Sequence, residues 1–536
     1  MSRSVDLLVV GAGPTGLALA LQAHAHGAHV RIVERRHAVT RPSRALIVHP
    51  RTLEGLRPLG VTDWLLAKAD VAPAADLHLG GRVARVRLAD LALAETAFPH
   101  LTLIRQQDVE MVLVRALADR GIDIEWGVEL NTLQNRAAGV RTVLQSTAGA
   151  ETREFDFVAG CDGPESTVRR AAGIGWPGGP YREEVVLADI ELDARLAPGV
   201  AHVGVGRHGV LLVFALGERA TWRLLASRQA GRDHVPFGQP GPPVCAAELQ
   251  ARLDEAGLNA WITNLAWSAR YPLQHRLADR FRRGRLYLVG DAAHAYSPAT
   301  GQGMNTGIQD ALNLGWKLAF AHTATARAGL LDSYERERRR VARRVLALTH
   351  LAFWAEAGSG QLPALLRVLA PLGAPAIPAV MLRKHLVAEV VRCVSQLRVS
   401  YPHSPISEEG PPRRRSRPGA GQWLPDATVT ADGQEVGLHA LLARPGVHVL
   451  LDRDAPRFDQ LVLGPYVDVH RLESAPGKGV VAVRPDGYVG LCSDTLELGR
   501  LHTWLARIGA LSAVAAMGPS AGMPTPSFDA PLRVSD

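Results

Sequence analysis

The chain has 536 residues, enough for about three to four domains, and its 47% hydrophobic and 21% charged residues exclude a largely disordered protein. The formal charge of +8 comes from 60 basic residues, but only four of these are lysine, which favours solvated arginines over a nucleic-acid site. The four cysteines form no Cys-x-x-Cys pair or zinc spacing, so we predict no metal site and a protein of the reducing cytoplasm.

The first 34 residues predict a βαβ unit. Val5–Val10 is an apolar run typical of a buried parallel strand, and the helix after it ends at Gly27. His29–Glu34 is the second strand. The charge-free stretch Leu7–Leu21 contains glycine and proline and is too short to span a bilayer, so we expect no membrane segment.

A glycine-rich turn joins this strand to its helix. In the pattern Gly11-x-Gly13-x-x-Gly16, the first glycine permits a tight turn, and the second lets the backbone approach a pyrophosphate. The third allows close packing of helix on strand, while helix N–H groups face the phosphates. Glu34 ends the second strand, where a carboxylate can bind a ribose. Together these features predict a dinucleotide site.

A second motif follows further along the chain. Residues 105–121 are predicted to be helical, and residues 141–160 alternate like a hairpin that ends in an apolar strand. Asp162 and Gly163 come directly after that strand, at the edge where open α/β sheets bind ligands.

Residues 183–270 have a different pattern, with short strands separated by glycine- and proline-rich turns. The strands are predicted at Val185–Ile190, Val210–Ala215 and Thr221–Ala226. We interpret this part as a largely antiparallel insert that forms a second domain. Strand Leu286–Val289 then returns the chain to the first domain.

The third motif runs from Gly290 to Asn305. Asp291 could hydrogen-bond to a polyol. The backbone amides of Met304 and Asn305 stand at the start of a helix predicted to reach Ala324, where they would stabilise negative charge.

A charged helix, Ser333–Leu346, comes next. Its arginines at 338–340, 343 and 344 are interpreted as a solvated face, with Glu335 and Glu337 as partners. Residues 347–400 are predicted to be mostly helical.

The C-terminal part is predicted to be a separate small α/β domain. Residues 401–426 are rich in proline and arginine and are interpreted as a linker. The strands and the helix after it are predicted at Val447–Asp452, Val480–Arg484, Tyr488–Leu491 and Leu496–Ile508. About 20 residues at the end are predicted to be a surface tail.

The three motifs in this order resemble those of the class A single-component FAD-dependent aromatic monooxygenases, the para-hydroxybenzoate hydroxylase group. Within it, the chain resembles the phenol hydroxylase and aromatic polyketide hydroxylase branch. The resemblance implies an α/β fold with a Rossmann-like FAD-binding domain (1–175 and 276–400) that has a helical extension. An inserted, mainly antiparallel β-sheet substrate domain (176–275) and a thioredoxin-like domain (427–536) complete it. Because that last domain has only Cys492, its expected role is packing or contact in a homodimer rather than redox chemistry.

The resemblance also implies roles for individual residues. Residues expected to hold FAD are Gly11, Gly13, Pro14, Thr15, Gly16, Glu34, Arg35, Arg44, Gln106, Asp162, Gly163, Asp291, Pro298, Gly301, Gly303, Met304 and Asn305. Among them, the Pro298 carbonyl is expected beside the reacting side of the flavin. Trp222, Arg223 and Tyr271 lie in or beside the insert that covers substrate, and a structural role is the alternative for each of them.

The implied reaction uses NADPH or NADH, O2 and a flavin C4a-hydroperoxide to hydroxylate a phenolic ring. In simple phenol hydroxylases an acidic residue falls near Leu46, and leucine cannot take a proton. His49 is the nearest candidate base, although a packed or solvated histidine is the alternative. The missing acid favours a larger, polycyclic polyketide-type substrate. A Baeyer–Villiger or epoxidising oxygenase, or a flavin-binding protein without catalysis, remains open.

Overall fold

The computed structural model describes residues 4–511 with internal gaps. The gaps are residues 39–46, 73, 80–81, 88–92, 198, 207–208, 216–221, 232–234, 236, 298–300, 322–323, 358–383, 411–417, 457–462 and 474–478. The predicted C-terminal tail, Arg44, Leu46 and Pro298 therefore lie outside the described residues.

The described strands alternate with short helices in the first half of the chain. The strands up to residue 160 are β1 (Asp6–Val10), β2 (His29–Glu34), β3 (Ile47–Val48), β4 (Asp70–Ala72), β5 (Ala74–Leu79), β6 (Arg82–Arg87), β7 (Leu101–Leu103), β8 (Ile124–Trp126), β9 (Glu129–Asn135), β10 (Val140–Ser146), β11 (Gly149–Phe155) and β12 (Phe157–Gly160). The middle strands are β13 (Gly178–Ala194), β14 (Val200–Gly206), β15 (Gly209–Ala215), β16 (Trp222–Gln229), β17 (Ala260–Leu277), β18 (Arg282–Arg283), β19 (Leu286–Leu288) and β20 (His294–Ala295). The C-terminal strands are β21 (Glu408–Glu409), β22 (Thr428–Ala431), β23 (Gln434–Gly437), β24 (Val447–Asp452), β25 (Val467–Leu472), β26 (Val480–Val483) and β27 (Val489–Ser493).

The helices are concentrated around the first sheet. They are α1 (Pro14–Ala25), α2 (Pro50–Leu56), α3 (Thr62–Leu66), α4 (Gln106–Ala118), α5 (Thr167–Ala171), α6 (Ala246–Glu255), α7 (Gln302–Phe320), α8 (Ala324–Ala357), α9 (Lys384–Val394), α10 (Leu438–Leu441) and α11 (Leu498–Ile508). Short 3-10 turns lie at Arg57–Leu59 and Gly290–Ala292.

The first sheet has six strands in the order β18-β19-β12-β1-β2-β8. All neighbouring pairs are parallel except β18 and β19. This confirms the predicted βαβ unit, in which Leu8 of β1 pairs with Arg31 of β2. Since β1 lies between β12 and β2, the chain order reverses at β1, and Gly11 follows at the carboxyl edge where open sheets bind ligands.

The second sheet has eight strands in the order β20-β17-β13-β16-β15-β14-β5-β6. Only β14 and β5 pair in parallel. The strands predicted at Val185–Ile190 and Val210–Ala215 lie within β13 and β15, and the strand predicted at Thr221–Ala226 matches β16 from Trp222 onward. Strands β5 and β6 were not predicted, because they come from a distant part of the sequence and join the sheet only through long-range pairing. The predicted hairpin at 141–160 is confirmed as the antiparallel pair β10 and β11.

The C-terminal sheet has five strands in the order β21-β27-β26-β24-β25. One apolar core continues from the first sheet into it, and includes Leu8 of β1, Trp316 of α7, Val449 of β24 and Trp504 of α11. This shared core packs the C-terminal sheet and α11 against the first part of the chain.

The segment predicted as a linker, 401–426, is packed where the structure describes it. Tyr401, Ile406 and Leu424 are all at most 4% exposed, and β21 pairs with β27. Proline and arginine indicate turns and charge, but they do not reveal that the apolar residues between them are buried.

Candidate functional site

The glycine-rich turn after β1 contains two glycines that the backbone requires. Gly11 has φ of +104°, and a Cβ there would lie 2.4 Å from the Cys161 carbonyl oxygen. A Cβ on Gly16 would lie 1.9 Å from the Gly11 carbonyl oxygen. Gly13 differs, since no described heavy atom lies within 4 Å of the position of its Cβ. The turn is thus tightly packed at Gly11 and Gly16 and leaves free space at Gly13.

The amino end of α1 faces this open side. Gly13 is the N-cap, it provides no side-chain hydrogen bond, and Pro14 occupies the first turn without an N–H group. The remaining first-turn N–H groups and the helix dipole favour a bound anion. The arrangement can therefore accept a phosphate group next to Gly13.

Thr15 connects the first motif to the third. A Cβ on Gly290 would lie 2.7 Å from Thr15 Oγ1, and a Cβ on Gly307 would lie 2.3 Å from the same atom. The Thr15 side chain thus fills the space left by two glycines. Close packing at this point brings α1 and α7 together.

Glu34 lies at the end of β2 and is 6% exposed. Its carboxylate accepts hydrogen bonds from the Ala12 backbone N–H at 2.8 Å and from Arg36 Nε at 3.0 Å. Burial opposes ionisation, but Arg36 and the two backbone donors outweigh it and lower the pKa of Glu34. The structure thus places an ionised carboxylate beside the glycine turn, paired with Arg36. Arg35, the arginine selected from the sequence, is exposed.

Asp162 lies at the start of α5. Its Oδ2 accepts a hydrogen bond from the Val168 backbone N–H at 3.1 Å, and the Ser166 hydroxyl caps the same helix. The other oxygen, Oδ1, is buried without a hydrogen-bond partner among the described residues. Burial raises the pKa of Asp162. Gly163, with φ of +74°, is open on the side where a Cβ would point.

Asp291 lies in the 3-10 turn after β19. Its carboxylate is half-buried and receives no hydrogen bond from the part of the chain that the structure describes. The turn is anchored by Asp310 of α7, whose Oδ2 accepts hydrogen bonds from Gly290 N at 3.2 Å and His294 Nε2 at 2.6 Å. Gly290 has φ of +62°, which glycine adopts readily.

The amino end of α7 is a second uncapped helix terminus. Its N-cap is Gly301, in the left-handed region with φ of +64°, and no side chain caps it. Gly303 has open space where a Cβ would stand, and Met304 is 9% exposed. The Asn305 side chain is fully buried and already bonded, donating to Ile47 O and Gly301 O at 2.8 Å each. Asn305 was predicted to contact FAD, and only its backbone remains available to contact a ligand.

His49 lies beside this terminus. It is 2% exposed, its backbone N–H donates to Asn305 Oδ1 at 2.9 Å, and its Nε2 lies 3.8 Å from the position a Gly301 Cβ would take. Its Nδ1 is 3.5 Å from Ser395 Oγ. Gln106, at the start of α4, donates to Glu110 Oε1 at 2.8 Å.

The three residues predicted in the second sheet do not share one face. Trp222 packs with Leu249 and Leu253 of α6. Arg223, its neighbour on β16, points to the other face and makes a bidentate ion pair with Asp189, at 2.6 and 2.8 Å. Tyr271 lies on the Arg223 face, in the cluster that contains Phe353 of α8. Of the three, the structure therefore brings only Arg223 and Tyr271 to the side of the sheet that packs on α8.

Sequence reasoning missed Asp310 and misjudged Arg338. The guanidinium of Arg338 is 1% exposed and donates from Nε to Asp310 Oδ1 at 2.6 Å. Glu337 is 2% exposed. The prediction of a solvated face is thus wrong for both residues. A signal was available, since Asp310 and Lys317 are the only charged residues in the sequence of α7, and a charge in such a helix requires a partner.

Two further properties of the described residues bear on function. None of the described helices is long and apolar enough to cross a membrane. No group of three or more His, Cys, Asp or Glu in the described ranges is arranged to hold a metal ion.

A largely parallel sheet with a glycine-rich first turn, an acid at the end of β2 and a second uncapped helix at α7 defines a protein of the dinucleotide-binding α/β class. The chain belongs to the family described as "FAD binding domain", whose model matches residues 4–349.

Relatives with assigned activities resemble the whole chain. The 6-methylpretetramide 4-monooxygenase of Streptomyces rimosus is 31% identical, over 97% of this chain and 97% of its own length. Among solved structures, the OxyS anhydrotetracycline hydroxylase from Streptomyces rimosus has a TM-score of 0.72 and 26% identity, covering 95% of this chain and 100% of that one. CabE, an aromatic hydroxylase from angucycline biosynthesis, has a TM-score of 0.73 and 26% identity, with coverage of 95% and 100%.

Proposed function

We propose that the protein is an FAD-dependent monooxygenase that uses NAD(P)H and O2 to hydroxylate a polycyclic, polyketide-type phenolic substrate. The observation that carries the FAD site in this proposal is the close packing of Thr15 against Gly290 and Gly307, which brings the first and third motifs together. The relatives named above are a 6-methylpretetramide monooxygenase, an anhydrotetracycline hydroxylase and an aromatic hydroxylase from angucycline biosynthesis, which supports the substrate class.

The residues present fit FAD. Gly13 leaves a space open beside the amino end of α1, and Glu34 provides an ionised carboxylate. The carboxylate oxygens of Asp291 accept no hydrogen bond from a described residue. Bound FAD supplies the reduction and oxygen-activating chemistry that amino-acid side chains lack.

We assign the FAD contacts by region. The backbone N–H groups of Gly13, Thr15 and Gly16 would bind the pyrophosphate, and Gly11 and Pro14 would shape the turn that presents them. Glu34 would bind the ribose of the adenosine half. Asp291 would bind the ribityl chain. The backbone of Gly301, Gly303, Met304 and Asn305 would stabilise negative charge on the ring. Arg35, Arg44, Gln106, Asp162, Gly163 and the Pro298 carbonyl stay predicted contacts.

The substrate would lie between the amino end of α7 and the inner face of the second sheet. Arg223 and Tyr271 lie on that face, and the aromatic and aliphatic residues around them suit a flat apolar ligand. His49 Nε2 lies 3.8 Å from the position that a Gly301 Cβ would take, and we propose that it holds the proton released by a phenolic hydroxyl.

The part of the chain from residue 427 onward is proposed to be a thioredoxin-like domain that serves packing. Strand β24 is parallel to β25 and antiparallel to β26, β27 follows antiparallel, and α11 ends the unit, which supports that assignment. Cys492 is fully buried and has no second cysteine nearby in the sequence, which argues against a redox role.

The test is a flavin spectrum followed by turnover. The purified protein should show bound flavin and oxidise NADPH or NADH faster when a polycyclic phenol is added. Product NMR should show a new ring hydroxyl, whereas a lactone or an epoxide would indicate the alternative oxygenases. Absence of flavin, or of stimulated oxidation across a panel of phenols and polycyclic quinones, would overturn the proposal.

A further inference from the structure

Arg338 joins three parts of the molecule that are distant in sequence. Its Nε donates to Asp310 Oδ1 at 2.6 Å, and its Nη1 donates to the Tyr401 hydroxyl at 2.8 Å. A third donor, Nη2, reaches the Thr306 carbonyl of α7 at 3.3 Å. A guanidinium that is 1% exposed has no water to replace these partners, so its position is determined by all three.

Asp310 transmits this position to the turn that carries Asp291. The oxygen that does not face Arg338 accepts hydrogen bonds from Gly290 N and His294 Nε2. A shift of the Asp310 carboxylate would therefore move Gly290, which also packs on Thr15. The turn has little freedom to compensate, because Gly290 is held on both sides.

Tyr401 connects Arg338 to the C-terminal region, defined here as residues 401–511. The Tyr401 ring packs on Tyr488 with 4.3 Å between ring centroids, and its backbone N–H donates to Gly421 O at 2.6 Å. The hydroxyl of Tyr401 is therefore placed by the C-terminal sheet, and Arg338 is placed in part by that hydroxyl.

We propose that Arg338 is a positioning residue through which the C-terminal region sets the geometry of the Gly290–Asp291 turn, and with it the affinity for FAD. The proposal rests on the proposed function, since it assumes that Asp291 contacts FAD. It gives the C-terminal region a role in the cofactor site although none of its residues belongs to the three sequence motifs.

The main test is Tyr401→Phe with Ser404→Ala as its matched control. Tyr401→Phe removes the hydroxyl that Arg338 uses and keeps the ring that packs on Tyr488. Ser404→Ala removes a buried hydrogen bond of 2.5 Å to Glu337 at the same interface, without touching Arg338 or Asp310. The wild type and both variants are stripped of FAD and titrated with FAD by fluorescence, and the melting temperature of each apoprotein is measured.

Tyr401→Phe should raise the Kd for FAD about three- to tenfold, the effect of one buried hydrogen bond. Ser404→Ala should lower the melting temperature of the apoprotein by about as much as Tyr401→Phe does, because each variant loses one buried hydrogen bond. Its Kd for FAD should nevertheless stay within about twofold of the wild-type value. As a second pair, Arg338→Lys keeps a cation beside Asp310 and should bind FAD more tightly than Arg338→Met. The visible spectrum of the flavin should change with Arg338→Met and Tyr401→Phe but not with Ser404→Ala.

Two results would overturn the inference. An unchanged Kd in Tyr401→Phe, or an equal loss in Tyr401→Phe and Ser404→Ala, would show that the contact serves stability alone. Failure of the wild-type apoprotein to bind FAD would instead overturn the proposed function and this inference together, so the two failures are distinguishable.

Discussion

The Glu337 carboxylate of α8 forms a bidentate pair with the Arg484 guanidinium of the C-terminal region, at 2.8 Å from Nη1 to Oε1 and 2.9 Å from Nη2 to Oε2. Both side chains are at most 1% exposed. Lys317 donates to Glu337 Oε2 at 2.7 Å, and Asp486 pairs with Arg484. Two cations and two anions thus balance in an interface without water access. Burial opposes ionisation of Glu337, but Arg484 and Lys317 outweigh it and lower its pKa.

Glu337→Gln should therefore destabilise the fold strongly. It leaves two buried cations facing one carboxylate, for which we expect a loss of about 3–5 kcal/mol in the free energy of unfolding. Urea denaturation of the apoprotein measures it. Glu154→Gln is the control, because the Arg136–Glu154 pair is 47% and 66% exposed and should contribute less than about 1 kcal/mol. Equal losses in the two variants would contradict this account of the interface.

Gly13→Ala should weaken FAD binding, whereas Gly16→Ala should destabilise the fold itself. A Cβ on Gly13 meets no described atom within 4 Å, so the apoprotein should keep its melting temperature while FAD affinity falls at least about tenfold. A Cβ on Gly16 would lie 1.9 Å from the Gly11 carbonyl, so the apoprotein itself should lose about 1–3 kcal/mol or fail to fold. FAD titration alongside thermal melting separates the two. Unchanged FAD binding in Gly13→Ala would place the pyrophosphate elsewhere.

Asp291→Ala should lose flavin without losing stability. No described residue bonds to the Asp291 carboxylate, so its removal leaves no protein donor unpaired. A hydrogen bond from a ribityl hydroxyl to a charged group is worth about 1.5–3 kcal/mol, which predicts a loss of about ten- to a hundredfold in FAD affinity. The ratio of flavin to protein absorbance after purification measures the effect. Asp332→Asn, at an exposed pair with Arg282, is the control.

Stability should fall in mild acid because two buried histidines resist protonation. Burial lowers the pKa of His26 to about 4, against a hydrogen bond to Gln22 O and the charge of Asp486 that favour the proton. Burial likewise lowers the pKa of His448 to about 4. The unfolded chain takes up protons near pH 6.5 and the folded chain only near pH 4. Folding stability is thus fully present above about pH 6.5 and is lost as the pH falls to about 4, by about 3 kcal/mol for each histidine.

The measurement is the free energy of unfolding of the apoprotein at several pH values between 7.5 and 4.5. His26→Gln removes one of the two titrations and should have a shallower pH dependence than wild type over this range. Identical slopes in the two proteins would show that His26 takes up its proton in the folded state as readily as in the unfolded one.

The local parts of the fold could be predicted from the sequence because their causes are local. Gly11 has a positive φ and a Cβ on Gly16 would meet the Gly11 carbonyl oxygen, so the geometry of the turn itself requires both glycines. The apolar run of β1 needs only burial on both faces. The strand pattern of residues 185–226 was equally visible, since alternation and turn residues act along the chain. The positions of the three motifs in the chain could therefore be predicted from the sequence.

The tertiary structure alone decided which charges are buried and which side chains share a face. Arg338 is buried, whereas Arg340, Arg343 and Arg344 on the same helix are exposed. Only the packing of α7 and Tyr401 against Arg338 distinguishes it from these arginines. Trp222 and Arg223 are adjacent, and the alternation of β16 sends them to opposite sides of the sheet. Asp310 pairs with Arg338 across 28 positions and Glu337 pairs with Arg484 across 147 positions, and both pairs depend on packing that no local pattern records. The sequence by itself determined the glycine-rich turns that are proposed to bind the cofactor, and the tertiary structure determined how the C-terminal region is connected to them.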